Sequence, residues 1–272
     1  MSNRFMTINN LTIEGRSGEP LLKGINMEIG RGEIAALIGE SGSGKSLTAK
    51  AILGILPEEM KVDGEILYMG RDLLKLRRKE HHQLLGKEIG IIFQDYRGSF
   101  TTYIKIGKQM IETIRTHQRI SKKAAKEAAL LVLEETGLDC ERVYHSYPFQ
   151  LSGGQVQRAA ISMTLALRPN ILICDEVTTA LDLMNGERVL KYIDQARRET
   201  ECAVLMITHD LAQAYKWSDR IHVMDQGVIV EDGPTEQIRF HHQHPYTRKL
   251  CSSLLSLPKE RQASATEGVY SL

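Results

Sequence analysis

The chain has 272 residues, is 42 % apolar and 25 % charged, and carries a formal net charge of +1. That balance fits a folded globular protein and lacks the basic excess that a nucleic-acid surface requires. No segment approaches the roughly 20 apolar residues needed to span a bilayer. The opening Met1-Ser2-Asn3-Arg4 leads into no apolar signal core, so a cytoplasmic chain is expected.

In chain order, residues 6–13, 24–29 and 64–68 alternate and are broken by glycines, which reads as antiparallel β. Short apolar runs at 34–38, 89–93, 171–174, 203–208 and 221–224 read as buried strands. Helical patterns fall at 45–56, 124–135, 155–167 and 186–199. Strands alternating with helices predict an α/β core with a mainly parallel sheet. Residues 95–167 are helical in texture and hold no convincing strand, so an inserted helical subdomain is expected. The domain reading is therefore 1–94 with 168–240 as the core, 95–167 as the helical insert, and 241–272 as a short C-terminal extension. The polar end of that extension reads as poorly ordered.

Four cysteines, Cys140, Cys174, Cys202 and Cys251, have no metal-ligand spacing. Cys174 and Cys202 fall in or beside apolar runs, where a thiol acts as a small core hydrophobe. The basic runs Lys75-Leu76-Arg77-Arg78-Lys79 and Lys122-Lys123 read as solvated helix faces.

Between the strand at 34–38 and the helix from Lys45 lies Gly39-Glu40-Ser41-Gly42-Ser43-Gly44-Lys45-Ser46, followed by Leu47. This is a phosphate loop in its strand–loop–helix setting. Gly39, Gly42 and Gly44 permit dihedrals that turn successive amide N–H groups toward phosphate oxygens, and the helix N-terminus adds positive potential. Lys45 is expected on the β- and γ-phosphates and Ser46 on Mg²⁺.

The loop alone does not choose a class of nucleotide enzyme. Leu151-Ser152-Gly153-Gly154-Gln155, followed by Gln157-Arg158, does: here the chain resembles the ABC ATPases, whose signature this is. The resemblance implies a P-loop NTPase core with an antiparallel β subdomain and a helical subdomain. It also implies that the signature binds the γ-phosphate of ATP on an opposing subunit. Ile171-Leu172-Ile173-Cys174-Asp175-Glu176 resembles Walker B, which makes Asp175 a Mg²⁺ ligand and Glu176 the general base. Gln94 matches the Q-loop glutamine that reads Mg²⁺ and water, and His209 the switch histidine. Thr178-Thr179-Ala180-Leu181-Asp182 resembles the D-loop, with Asp182 facing the other subunit.

Departures from the family pattern are visible. Val177 stands where relatives carry proline, which should loosen the backbone locally. Residues 12–19 hold no aromatic to stack on adenine, and residues 95–103 lack an Asn-Pro turn.

The flanking segments are similar to the peptide and nickel uptake group. They are Leu53-Gly54-Ile55-Leu56-Pro57, Ser146-Tyr147-Pro148-Phe149-Gln150 and His244-Pro245-Tyr246-Thr247-Arg248-Lys249-Leu250. Only Cys251 lies in the C-terminal segment, so no iron–sulfur cluster is expected, and the short form is nearest the nickel branch. His241, His242 and His244 read as structural rather than metal-binding.

The implied function is ATP hydrolysis that energises an importer of peptides, nickel or metal chelates at the cytoplasmic face of the membrane. The implied partners are a sister ATPase in a heterodimer, two permease subunits and, indirectly, an extracytoplasmic binding protein. A soluble ABC ATPase acting on DNA or ribosomes is the alternative. The short separation of phosphate loop and signature argues against the DNA-acting type, and the single set of motifs against the ribosome-acting type.

Overall fold

The computed structural model describes residues 4–179 and 181–255. The polar end of the C-terminal extension lies outside the described residues, as does Ala180 of the expected D-loop. In chain order the elements begin with β1 (Arg4–Glu14), β2 (Pro20–Gly30), β3 (Ile34–Ile38), α1 (Lys45–Leu53), β4 (Lys61–Tyr68), β5 (Arg71–Asp72) and α2 (Arg78–Leu84). Next come β6 (Ile89–Ile92), α3 (Ile106–His117), α4 (Lys122–Glu135), α5 (Cys140–His145), α6 (Gly153–Leu165), β7 (Ile171–Asp175) and α7 (Leu183–Thr200). The last are β8 (Ala203–Thr208), α8 (Leu211–Trp217), β9 (Arg220–Asp225), β10 (Val228–Pro234), α9 (Thr235–His241) and α10 (Pro245–Leu255).

Two compact units divide the chain at residues 82/83 and 202/203. The first takes in residues 4–82 and 203–255 of the described chain. In it, β1 pairs antiparallel with β2 and β4, and β4 with β5. Their alternation buries Ile8, Leu11, Ile13, Ile25, Ile29 and Ile66 on one face. Glycines 24 and 64, both at positive φ, sit beside Asn10, where bulges break the register of β1. In the same unit β3 runs parallel to β8 on one side and to β9 on the other, and β10 folds back antiparallel on β9. Every residue of β3 and β8 is buried, as their unbroken apolar runs require.

The second unit, 83–202, carries β6 paired parallel with β7 and the helices α3 to α7. Its helical core gathers Ile106, Met110, Ile114, Ala129, Leu133 and Ala159, all fully buried. Contacts cut the chain elsewhere than the division read in the sequence, grouping β6, β7 and α7 with the helices. One reason is α6: Thr164 Oγ1 donates to the Ile91 carbonyl of β6 at 3.3 Å. A Cβ at Gly90 would meet Thr164 and Pro169.

Helix ends differ from the sequence reading in instructive ways. The helix begun at Lys45 stops at Leu53 rather than residue 56, because Gly54 takes the left-handed conformation and its N–H bonds back to Ala51 and Lys50. The strand expected at 89–93 ends at Ile92, leaving Phe93 exposed. Capping side chains set the starts of α4, α6 and α7: Ser121, Ser152 and Asp182 each accept an N–H from the first turn.

Candidate functional site

In the first unit, the phosphate loop leaves the end of β3 between two neighbouring strands. A Cβ on Gly39 would lie 2.1 Å from the Met224 carbonyl of β9, and one on Gly44 would lie 2.5 Å from Leu22 of β2. Gly44 also has φ of 114°, so no other residue fits comfortably there. Gly42, at φ of 82°, has nothing around its would-be Cβ within 4 Å. The loop is thus packed at its two ends and open in the middle.

Side chains of the loop are arranged for an anion. Lys45 is buried, and its Nζ donates to the carbonyls of Gly39 and Glu40 at 2.8 Å each. Ser43 Oγ is buried and has no hydrogen-bond partner among the described residues. A desolvated hydroxyl without a partner is costly unless a ligand supplies one. Thr48 secures the first turn of α1 by donating from N and Oγ1 to the Gly44 carbonyl. Glu40, Ser41 and Ser46 are exposed, and Leu47 is half-buried. The buried ammonium, the spare hydroxyl and the open glycine turn fit the phosphates of a nucleotide. Ser46 supplies a hard oxygen of the kind Mg²⁺ takes.

His209 follows β8 and is exposed. Its neighbours fix the chain on either side. Asp210 N donates to Thr208 Oγ1 at 3.0 Å, and Asp210 caps α8 through Ala212 and Gln213.

The second unit brings two of the expected residues into contact. Gln94 Nε2 donates to Glu176 Oε2 at 2.8 Å, although 82 residues separate them. Thr179 Oγ1 donates to the same oxygen at 3.4 Å. Glu176 itself has φ of 50°, an uncommon backbone for a side-chain-bearing residue that stores about 1–3 kcal/mol. Asp175 ends β7, half-buried after four fully buried residues.

Val177 does not loosen this turn as the missing proline led us to expect. It is 3 % exposed, and its carbonyl accepts a hydrogen bond from Gln157 Nε2, a side chain 1 % exposed on α6. The signature helix therefore grips the peptide next to Glu176. Gln157 is visible in the sequence beside the signature, but nothing local reveals what it holds.

Ser152 opens α6 with a capping box. Its Oγ accepts from Gln155 N at 3.3 Å, and Gln155 Oε1 accepts from Ser152 N at 3.0 Å. Leu151 is buried beneath, while Gly153 and Gly154 keep the first turn bare. A Cβ on Gly153 would meet the Tyr96 hydroxyl at 2.7 Å. Arg158 ties this helix to α4 by donating to the carbonyl of Gly137 at 3.0 Å. Asp182 serves as the cap of α7, and its hydrogen bonds from Asn185 hold its carboxyl below the usual range. Burial pushes the Cys202 thiol up to about 12 and Cys174 higher still, so both are inert core residues.

One contact was not anticipated. Tyr246 and Lys249 of α10 both reach Glu40 of the phosphate loop. The Tyr246 hydroxyl accepts from Glu40 N at 2.9 Å, and Lys249 Nζ lies 3.3 Å from Glu40 Oε1. The neighbouring histidines serve the backbone. His244 Nδ1 accepts from Tyr246 N at 3.3 Å, and His242 Nδ1 is 3.1 Å from the Ile238 carbonyl.

A phosphate loop after a buried strand, with a glutamine-held glutamate and a capped Ser-Gly-Gly helix, defines an ATP-binding cassette. A family model described as ABC transporter matches residues 22–179, more than half of the chain. The chain is 38 % identical over 269 residues to the oligopeptide transport ATP-binding protein OppD of Bacillus subtilis, covering 97 % of this chain and 75 % of that one. It is 37 % identical over 250 residues to the metal-staphylopine import system ATP-binding protein CntD of Staphylococcus aureus, covering 91 % and 92 %.

Among solved structures, the ADP- and phosphate-bound dimer of the cassette MJ0796 matches with a TM-score of 0.76 and 28 % identity, over 85 % of this chain and 98 % of that chain. CbiO1 of Clostridium perfringens, part of the ABC transporter complex cbiONQ, matches with a TM-score of 0.77 and 26 % identity, over 96 % and 98 %. The chain belongs to the ABC transporter ATP-binding family. It is an ATPase that uses Mg²⁺ and serves as the energising subunit of an importer.

Proposed function

We propose that this chain hydrolyses ATP at the cytoplasmic membrane face to drive uptake of a peptide or a metal chelate, nickel included. The observation that carries the reading is the length of the likeness. It runs over 91–97 % of the chain to ATPases named for oligopeptide and metal-staphylopine import, and for the oligopeptide relative it takes in the C-terminal helix as well as the nucleotide motifs. No helix among the described residues is long and apolar enough to cross a membrane. Attachment is therefore assigned to two permease subunits, with an extracytoplasmic binding protein delivering cargo to them.

Gly39 to Leu47 bind the phosphates: backbone N–H groups and Lys45 supply the positive field. Ser46, Asp175 and Gln94 would each offer an oxygen to Mg²⁺, which when bound would supply positive charge to the phosphate oxygens. Glu176 takes a proton from the attacking water, and Gln94 orients the carboxylate that does so. His209 contacts the γ-phosphate. Leu151, Ser152, Gly153, Gly154 and Gln155 present the N-terminus of α6 to ATP held by a sister chain. Asp182 meets that sister at the same face. Exposed Leu183 and Met184, 65 % and 70 % accessible, support an apolar contact there.

Affinity purification of the chain from its native membranes tests the reading. Two permease subunits and a sister ATPase should co-purify. Recovery with ribosomes or DNA instead would overturn it.

A further inference from the structure

The C-terminal helix α10 is fastened to the first unit at several points away from the phosphate loop. Glu231 of β10 accepts the N–H groups of Gln243 at 2.6 Å and His244 at 3.1 Å, just ahead of the helix. Farther along, Cys251 Sγ lies 2.9 Å from the Tyr215 hydroxyl of α8. Burial raises both of those groups, so they meet as neutral donor and acceptor at neutral pH. The helix is thereby fixed before it touches the loop.

Tyr246 and Lys249 are three residues apart and project from one face of α10. Both end on Glu40, the second residue of the phosphate loop and 206 residues away from Tyr246 in sequence. Glu40 is held on both sides of its own residue. Its N–H goes to Tyr246, its carboxylate to Lys249, and its carbonyl accepts from Lys45 Nζ at 2.8 Å. Gly39, immediately before it, has no room to shift toward β9. The exposed Lys249–Glu40 ion pair contributes little by itself. The neutral hydrogen bond from Glu40 to Tyr246 is the stiffer element, since the phenol is carried on a short, two-torsion side chain.

We infer that Tyr246 is a positioning residue for ATP: it holds Glu40 so that α10 braces the phosphate loop in its binding shape. This rests on the loop being the ATP site. A loop already in shape spends less of the binding free energy on ordering, so the brace acts on affinity more than on the chemical step.

The test compares Tyr246→Phe with Tyr215→Phe, which loosens α10 at a point that does not touch the loop. Equilibrium binding of MgATP, kcat for phosphate release and the melting temperature are measured for both and for the parent. Tyr246→Phe should weaken MgATP binding and raise KM about threefold to tenfold while kcat at saturating ATP stays within about twofold. Tyr215→Phe should bind MgATP as the parent does. Parent-like affinity in Tyr246→Phe overturns the inference. So does an equal loss in Tyr215→Phe with matching melting shifts, which would make the role a general one in helix packing. A parent that binds no MgATP would instead bring down the ATP-site reading beneath it.

Discussion

Replacing Gln157 with alanine removes the side chain that holds the peptide beside the proposed base. Gln157 is 1 % exposed and Val177 3 %, so the Val177 carbonyl loses a donor that water cannot readily replace. A buried group left unsatisfied costs about 1–3 kcal/mol. Glu176, just before it, sits at φ of 50°, a left-handed strain of about 1–3 kcal/mol that is relieved once the anchor goes. Both effects push the turn away from the geometry in which Gln94 meets Glu176 at 2.8 Å. If about 1–3 kcal/mol appears in the barrier, kcat falls about 5-fold to 150-fold. The assay is steady-state phosphate release, with MgATP affinity measured in parallel. Affinity should stay near the parent's, because the base acts on water rather than on binding. Gln157→Met keeps most of the volume without the donor and should lose kcat similarly. A folded Gln157→Ala or Gln157→Met protein with the parent's kcat would refute the reasoning.

Two further outcomes follow from other parts of the structure. Lys45→Ala removes the buried ammonium that spans the Gly39 and Glu40 carbonyls and should weaken MgATP binding by about tenfold or more in a titration, as loss of a charged hydrogen-bonding group implies. Unchanged affinity would contradict the phosphate-loop assignment. His222 on β9 is pushed down to about 4 by burial, with the nearby Asp232 opposing and Arg220 reinforcing the shift. The unfolded chain takes that proton near pH 6.5, so this contribution to stability is complete above pH 6.5 and is lost as pH falls toward 4. The loss from this one group is about 3 kcal/mol by pH 4, read from urea midpoints, and His222→Leu should flatten it.

The parts of the site that were legible in the sequence are those built from contiguous residues. A fully buried strand followed by a glycine-rich turn and a helix has one local reading, and β3, the phosphate loop and α1 follow it. The same holds for β7 ending at Asp175 and for α6 starting after Ser152. Edge elements were harder. In β10, Val228 to Glu231 are half-buried without a clean period of two, and β5 is only two residues long. The sequence sets no bounds for α3 within the helical insert, because Lys105 at its start makes no side-chain cap.

What escaped the sequence altogether are bonds between distant residues. Gln157 finds Val177 20 residues on, and Tyr246 finds Glu40 across nearly the whole chain. Such pairs leave no periodicity and no spacing rule, since they exist only once the sheet and helices have packed. Capping hydrogen bonds show the opposite case. Asp182 was read from the family likeness as a contact for a sister chain, and a local pattern, Asp three residues before Asn185, also makes it the cap of α7.

The most direct test is nucleotide retention by Glu176→Gln, purified with its sister subunit and incubated with MgATP. Bound nucleotide should be recovered as ATP in a closed two-chain particle, with turnover reduced about 100-fold or more, as removal of a general base implies. Turnover at the parent's rate, with ADP as the bound species, would contradict Glu176 as the base of this ATPase.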